Sequence, residues 1–189
     1  MISSILLAAG QSKRMNGENK LIKKIDGIPL IKHSVKNIIN SSIDELIIVL
    51  GYEENILRKI IGKNNKIKYV FNKNFESGIS SSIKIGINNL SFKTQAFFIS
   101  LGDMPLISQK IYNLLIKHMN DKQIIVPVYK GSRGNPILFS KSMIDEIMNI
   151  QGDVGAKNIL SKNENKILNV NVGDKSILQD FDTIKSFIS

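Results

Sequence analysis

The order of the apolar segments is the feature that most constrains how this chain can fold. Short runs rich in isoleucine and valine alternate with segments whose apolar residues recur every three or four positions. Near-continuous apolar runs predict strands buried on both faces, and the three-to-four spacing predicts amphipathic helices. Because regular strand–helix alternation produces right-handed crossovers, the sequence predicts an α/β fold with a mostly parallel sheet covered by helices on both faces.

The predicted elements fill most of the chain. Strands are predicted over residues 2–7, 45–50, 67–71, 95–101, 123–128, 137–139 and 166–172. Helices are predicted over residues 29–39, 53–61, 80–90, 108–119, 140–150 and 156–160, and Asp182 is predicted to cap a terminal helix. Turn-forming residues interrupt the alternation at 129–136 and 152–155. No linker, repeat or low-complexity tract divides the chain, so we expect one domain over residues 1–189.

The composition limits the kinds of molecule that the chain is expected to bind. The formal net charge is +10, yet the 26 basic residues are scattered and almost all are lysine. Nucleic-acid-binding surfaces usually show a basic stripe that includes arginine or aromatic residues, so no nucleic acid partner is expected. A small polyanion in a positive cleft fits this charge better. The chain has no cysteine, which excludes disulfides, thiolate metal ligands and thiol catalysis.

The N-terminal region and the apolar runs indicate where in the cell the protein is expected to be. No apolar run approaches the length of a membrane span, so no membrane partner is expected. Met1 leads directly into the first predicted strand without the basic stretch that begins a signal peptide. A cytoplasmic location is therefore the expectation.

The loop after the first predicted strand is a candidate phosphate-binding element, because ligands of open α/β sheets bind beyond the carboxyl ends of the strands. Small residues at 8–10 allow backbone N–H groups to approach a phosphate closely. Ser12 adds a hydroxyl, and Lys13, Arg14 and Lys20 add the cations that a triphosphate requires. The spacing matches neither the P-loop nor GxGxxG, and a solvated loop is the alternative interpretation.

Two aspartates in later loops are candidate metal ligands. Asp103 follows the strand at 95–101 and lies between Gly102 and Pro105. Magnesium typically takes one or two carboxylates together with phosphate oxygens and water, so Asp103 suits such a site. Asp153 is a candidate for a second metal or substrate contact. The alternative for both aspartates is a turn residue that bonds its own backbone.

Three consecutive serines, Ser80–Ser82, follow the third predicted strand. A helix N-terminus needs fewer hydroxyls than this for capping, so the extra ones are candidates for contacts to a base or a ribose. A helix start with more capping residues than it uses is the alternative interpretation.

These loops together resemble one family. The first loop, Leu7-Ala8-Ala9-Gly10-x-Ser12-x-Arg14-Met15 followed by Lys20, resembles the signature of sugar-phosphate and cofactor nucleotidyltransferases. A second segment of this chain, Gly102-Asp103-Met104-Pro105, resembles the metal-binding element of these enzymes. The molybdenum cofactor cytidylyltransferases are similar in two further segments, Gly134-Asn135-Pro136-Ile137-Leu138-Phe139 and Gly152-Asp153-x-Gly155-Ala156. The family usually has histidine where this chain has Asn135, and the resemblance extends over residues 2–185.

The resemblance implies a fold and a reaction. The implied fold is a single Rossmann-like nucleotidyltransferase domain of the GT-A type, with a mostly parallel central sheet flanked by helices. The implied reaction transfers CMP from CTP to the phosphate of a molybdenum–pterin cofactor and releases pyrophosphate. Mg²⁺ is the implied metal, with Mn²⁺ as the alternative because both are hard cations that suit oxygen ligands. A recipient molybdoenzyme or its chaperone is the implied partner for the product.

The resemblance also implies the site residues. The implied catalytic residues are Arg14, Lys20 and Asp103, and the implied metal ligands are Asp103 and Asp153. The implied nucleotide-binding residues are Leu7, Ala8, Ala9, Gly10, Ser12, Arg14, Lys20, Asn72, Gly78, Ser80, Ser81 and Asp103.

Ala9 bears on the choice of nucleotide. Guanylyltransferase relatives typically have glycine at this position of the motif and cytidylyltransferases have alanine, so Ala9 favours CTP. Our hypothesis is that a Cβ beside the base crowds a purine more than a pyrimidine. Two alternatives are a related nucleotidyltransferase that uses GTP or acts on a sugar or polyol phosphate, and a non-catalytic chaperone that binds nucleotide or cofactor.

Overall fold

The structure is a computed structural model that describes residues 1–12, 18–149 and 157–181. The strands are β1 (Ile2–Ala8), β2 (Lys24–Ile25), β3 (Ile28–Pro29), β4 (Glu45–Leu50), β5 (Ile67–Phe71), β6 (Ala96–Leu101), β7 (Ile124–Tyr129), β8 (Ser132–Arg133), β9 (Ile137–Ser140) and β10 (Ile167–Asn171). The helices are α1 (Leu30–Ile39), α2 (Glu54–Ile61), α3 (Ile79–Asn88), α4 (Gln109–Lys117), α5 (Ile144–Met148) and α6 (Lys157–Lys162). Short 3-10 turns include Lys20–Ile22, Phe75–Ser77 and Lys175–Leu178.

One large sheet forms the centre of the fold. Its described strands follow the order β10-β7-β9-β6-β1-β4-β5, with β8 paired to β7. Strand β1 pairs in parallel with both β4 and β6, while β9 runs antiparallel to its neighbours β6 and β7. The short connection between β7 and β9 allows only an antiparallel pairing, because a parallel one needs a long crossover. The predicted α/β fold with a mostly parallel sheet is confirmed.

The central strands are buried on both faces, which explains their continuous apolar sequence. Along β1, Leu6 faces the core that includes α1 and α4, and Ile5 faces the core that includes α3 and α5. Both side chains are fully buried. Because both faces are covered, the carboxyl edge of the sheet is left as the place where a ligand can reach strand ends.

A buried chain of hydroxyls ties α4 to the middle of the sheet. The hydroxyls of Ser4 in β1 and Ser100 in β6 lie 3.2 Å apart. Tyr112 in α4 donates its hydroxyl proton to Ser100 Oγ at 3.2 Å. Burial raises the pKa of Tyr112 above its ordinary value, so the phenol stays protonated and remains a donor. This network fixes β6 one residue before the end that leads to Asp103.

Several element boundaries differ from the predictions. Glu53, predicted to begin α2, precedes the helix in a left-handed conformation with φ of 52°. The helix predicted over 140–150 begins as a 3-10 turn and contains α5 only over Ile144–Met148. The predicted terminal helix capped by Asp182 lies outside the described residues. Within the described ranges, no helix combines the length and the apolar character needed to cross a bilayer.

Candidate functional site

A cavity of about 490 Å³ opens at the carboxyl ends of β1 and β6. Eight of the predicted nucleotide-binding residues line it: Leu7, Ala8, Ala9, Gly10, Ser12, Lys20, Gly78 and Asp103. The cavity wall also includes Ser82, the last of the three serines that the sequence singled out, and residues that it did not, among them Gln11, Phe75 and Glu76. The strand-end loops therefore meet at one site, as expected for an open α/β sheet.

An ion pair joins two of the predicted catalytic residues. Lys20 Nζ lies 2.5 Å from Asp103 Oδ2, and the two side chains are 16% and 18% exposed. Lys20 begins a 3-10 turn. Asn19 caps this turn, because its Oδ1 accepts a hydrogen bond from the backbone N–H of Leu21 at 3.1 Å. Asp103 follows the end of β6. The structure thus places a cation and a carboxylate together beside the small residues of the first loop.

Ser12 shapes the first loop and anchors Lys20. Its φ of 52° is left-handed, a conformation uncommon for residues other than glycine. Its Oγ accepts a hydrogen bond from the backbone N–H of Lys20 at 3.1 Å. Ser12 therefore closes the loop onto the turn that carries Lys20, in addition to lining the cavity.

The loop that carries Asp103 is held from two sides. In α1, Ser34 Oγ donates to the carbonyl of Gly102 at 3.0 Å, and Asn37 Nδ2 donates to the carbonyl of Pro105 at 3.0 Å. From the C-terminal segment, the backbone N–H of Phe181 donates to the carbonyl of Asp103 at 3.0 Å. Ser34 and Asn37 had no sequence signal for this role, because they are polar residues within an ordinary helix. These contacts fix the Asp103 backbone against two separate parts of the chain.

Asn72, Ser80 and Ser81 lie outside the cavity lining, although the sequence predicted that they contact nucleotide. Asn72 is fully buried, and its Nδ2 donates to Ser81 Oγ at 2.8 Å and to Ser82 Oγ at 3.0 Å. Its Oδ1 accepts from Asn74 N at 2.9 Å. The Asn72 side-chain amide therefore holds the shape of this loop. Of the three serines, Ser82 lines the cavity.

A side-chain bridge joins the first loop to the loop after β5. Gln11 Nε2 donates to Glu76 Oε1 at 2.7 Å, and both residues line the cavity. Gly51, which follows β4, leaves room for both loops, since a Cβ there would lie 2.7 Å from Phe75 Cβ and 2.8 Å from the carbonyl of Ala9. The close approach at Gly51 is the physical reason that the two loops can face each other.

Arg14 and Asp153 lie outside the described residues, so their predicted roles stay predictions. The carboxylates of the described lining come from Asp103 and Glu76. No group of three or more potential metal ligands occurs among histidines and acids in the described part of the chain. Of the two lining carboxylates, Asp103 lies beside Lys20 at a cavity large enough for several phosphate groups, which fits Mg²⁺ or Mn²⁺ shared with phosphate oxygens and water. The described lining does not supply a full set of protein ligands for a metal.

The segment Gly134-Asn135-Pro136 packs against the C-terminal part of the chain. Asn135 N donates to the carbonyl of Ile177 at 2.9 Å, and a Cβ on Gly134 would lie 2.3 Å from that same oxygen. The Asn135–Pro136 peptide bond is cis. Next to it, Arg133 makes a two-bond ion pair with Glu164 at 2.6 and 2.8 Å. This segment supports the stretch of chain that continues to Phe181 and hence to Asp103.

An α/β sheet with a small-residue loop, a lysine and an aspartate around its carboxyl-edge cavity defines a nucleotide-binding protein of the doubly wound class. Residues 4–167 match the family model of the MobA-like NTP transferase domain, and the chain belongs to that family of nucleotidyltransferases.

Two curated relatives have names that specify a reaction. The molybdenum cofactor cytidylyltransferase of Escherichia coli K12 is 27% identical over 188 residues, which cover 100% of this chain and 94% of the relative. A probable molybdenum cofactor guanylyltransferase of Thermococcus sibiricus is 33% identical over 135 residues, which cover 69% of this chain and 62% of the relative.

A similar solved structure is that of Rv0371c from Mycobacterium tuberculosis H37Rv, with a TM-score of 0.87 and 20% identity over 99% of this chain and 95% of that one. A complex of the same protein with manganese has a TM-score of 0.77 and 19% identity, covering 90% and 88% of the two chains. These likenesses establish the fold.

Gly10 and Gly51 provide a matched pair of alanine substitutions. Gly51→Ala is expected to lower the free energy of unfolding by about 1–3 kcal/mol, because the new methyl overlaps Phe75 and Ala9. A Cβ on Gly10 would have no atom within 4 Å. The free energy of unfolding of Gly10→Ala is therefore expected to stay within about 0.5 kcal/mol of the wild-type value. Because Gly10 lines the cavity, its methyl is expected to weaken nucleotide binding. Urea unfolding and nucleotide titration measure the two effects; equal stability losses would contradict the packing argument.

Proposed function

We propose that this chain transfers CMP from CTP to the phosphate of a molybdenum–pterin cofactor and releases pyrophosphate. The observation that carries the proposal is the Lys20–Asp103 pair, which faces the backbone of residues 7–10 across one cavity. The full-length likeness to a protein named molybdenum cofactor cytidylyltransferase supports the choice of nucleotide and acceptor. In this proposal residues 1–189 act as one domain.

The proposed reaction needs charge neutralisation more than proton transfer. An oxygen of the acceptor phosphate forms a bond to the α-phosphorus of CTP, and the bond from that phosphorus to the bridging oxygen of the β-phosphate breaks. Pyrophosphate leaves with the electron pair of the broken bond. Because the attacking oxygen is already anionic, no general base is required, and the protein contributes alignment and electrostatic stabilisation.

Each lining residue has a part in this proposal. Asp103 holds Mg²⁺, or Mn²⁺, which when bound neutralises charge on the phosphate groups. Lys20 neutralises the triphosphate and the leaving pyrophosphate, and Arg14 has the same role. Backbone N–H groups at residues 8–10 and the Ser12 hydroxyl hold the nucleotide, while Gly78 and Ser82 border the base and ribose.

The residues behind the lining have positioning parts. Asn72 and Ser81 hold the loop that presents Gly78 and Ser82 through their side-chain hydrogen bonds, and Ser80 is buried in the first turn of α3. In this proposal Asp153 makes a second contact to the metal or to the substrate. A recipient molybdoenzyme or its chaperone would accept the product.

The direct test measures pyrophosphate release with CTP, GTP, ATP or UTP, using Mg²⁺ and molybdenum-loaded molybdopterin. Release that is selective for CTP and requires the acceptor is the expected result. Release with GTP instead would favour the second candidate, a guanylyltransferase, which the likeness to the Thermococcus sibiricus protein supports. Nucleotide binding without release under any condition would contradict the enzyme and support a non-catalytic chaperone. In a parallel assay, release with a sugar or polyol phosphate in place of molybdopterin, and none with molybdopterin, would contradict the pterin substrate alone.

Ala9→Gly tests the choice of base. Ala9 is buried directly after β1 and lines the cavity, so in this proposal its methyl limits the space beside the base. Removing the methyl is expected to raise the ratio of kcat/KM for GTP to kcat/KM for CTP. Ala8→Gly, which removes a methyl from the neighbouring lining residue, is the matched control. An unchanged ratio in Ala9→Gly would refute the steric account.

A further inference from the structure

Lys20 occupies the carboxylate that a metal would use. Its Nζ is 2.5 Å from Asp103 Oδ2, and both side chains are mostly shielded from water. Shielding strengthens this attraction, because water and dissolved ions screen a half-buried pair less than an exposed one. The carboxylate of Asp103 is therefore already paired with a cation of the protein itself.

The described lining of the cavity offers a divalent cation few other ligands. Glu76, the other acid of the described lining, accepts a hydrogen bond from Gln11 at 2.7 Å. Described residues contain no cluster of three potential ligands. Among the described residues, a divalent cation that approached Asp103 while Lys20 is paired with it would meet one carboxylate, with an ammonium group beside it. Repulsion between the two cations opposes metal binding in that state.

We propose that Lys20 masks Asp103 until nucleotide arrives, so that metal and nucleotide bind this site as a unit. The inference rests on the proposed function only for the identity of the nucleotide. A triphosphate supplies negative charge that attracts Lys20 away from Asp103, and its oxygens complete the ligand set that one carboxylate leaves unfilled. Lys20 then has two parts in succession, first as the counter-ion of Asp103 and then as a counter-ion of the phosphates.

The proposal fixes the sign of a thermodynamic coupling. Nucleotide strengthens metal binding, and by linkage the metal strengthens nucleotide binding by the same factor. Lys20→Met removes the mask, so it is expected to bind Mn²⁺ without nucleotide about tenfold more tightly than wild type, a typical size for coupled sites. The same substitution is expected to slow pyrophosphate release, because the phosphates lose a counter-ion. Opposite changes in metal affinity and turnover distinguish masking from general damage to the site.

The experiment measures the Kd of Mn²⁺ by electron paramagnetic resonance on the full chain without nucleotide. Lys20→Arg keeps the positive charge and is expected to bind Mn²⁺ as weakly as wild type. Lys20→Met combined with Asp103→Asn is expected to lose the gain, which assigns the bound ion to Asp103. Lys20→Gln is the second uncharged variant and is expected to match Lys20→Met, and circular dichroism establishes that each variant is folded.

Lys23→Met is the matched control for charge. Lys23 lies three positions further along the chain and pairs with Glu18 on the surface. Removing this charge is expected to leave the Mn²⁺ affinity unchanged, because Lys23 does not neutralise Asp103. An equal gain in Lys23→Met, or no gain in folded Lys20→Met and Lys20→Gln, would overturn the proposal.

A second measurement separates this inference from the proposed function. Wild-type protein is titrated with Mn²⁺ in the presence of a CTP analogue whose α–β bridge cannot be cleaved. Tighter Mn²⁺ binding with the analogue is expected and supports the coupling. If no nucleotide releases pyrophosphate while Lys20→Met still gains Mn²⁺ affinity, the proposed function fails and the masking role of Lys20 stands. If pyrophosphate is released but Lys20→Met shows no gain, the function stands and the masking role fails.

Discussion

Asp103→Asn is expected to slow pyrophosphate release from CTP about 10²–10³-fold, the usual effect of removing one preorganised charge stabiliser. Asparagine preserves the shape of the side chain but removes its negative charge. A metal then loses its anionic protein ligand, and Lys20 loses the partner that lies 2.5 Å away. The measurement is kcat/KM for CTP at saturating Mg²⁺ and acceptor, on protein whose circular dichroism matches wild type.

Asp121→Asn is the control for Asp103→Asn. Asp121 is an exposed carboxylate that pairs with His118 Nδ1 at 2.8 Å and lies outside the cavity lining. The same change of charge at this position is expected to leave kcat/KM for CTP unchanged. If Asp103→Asn kept the wild-type rate, Asp103 could not be the metal ligand of the proposed reaction.

Phe97→Ala is expected to lower the free energy of unfolding by about 3–5 kcal/mol, the range for removing a fully buried aromatic ring. Phe97 in β6 lies directly opposite Phe139 in β9, and the ring centroids are 5.9 Å apart with 26° between the planes. Both rings are fully buried, so truncation leaves a cavity in the core that packs on this face of the sheet. Urea unfolding followed by circular dichroism measures the loss.

Phe92→Ala makes the same substitution on the surface. Phe92 is 83% exposed, in the loop between α3 and β6. Its replacement is expected to change the free energy of unfolding by no more than about 0.5 kcal/mol. Comparable losses in the two variants would contradict the assignment of Phe97 to a packed core.

The sequence predicted the main strands well, because a strand buried on both faces consists of a continuous run of apolar residues. Residues 2–7 and 45–50 are continuous apolar runs, and the structure places them in β1 and β4. Strands β2, β3 and β8 span two residues each, too few to show any periodicity. The short connection fixes the antiparallel pairing of β9 with β7, but the place of β9 beside β6 depends on pairing with a distant strand, which local sequence does not encode.

The candidate site was predictable in its residue types more than in its contacts. Lys20 and Asp103 stand out because each follows a predicted strand, but their separation of 83 positions hides the ion pair. Asn72 and Ser81 stand out as polar loop residues, yet they bond to each other at 2.8 Å instead of lining the cavity. Gln11 and Glu76 carry no motif, and only the folded loops bring them together.

The insertion of β9 has a consequence for the order in which the chain matures on the ribosome. Strands β1, β4, β5 and β6 are complete once Leu101 has emerged, and these four can pair with one another. The outer edge of β6 keeps its backbone groups unpaired by β9 until Ile137–Ser140 has been synthesised. At about 5–20 residues per second, that edge waits for seconds as an unprotected strand, the kind of surface on which nascent chains associate. Slower translation between these two segments should therefore increase aggregation of newly made protein.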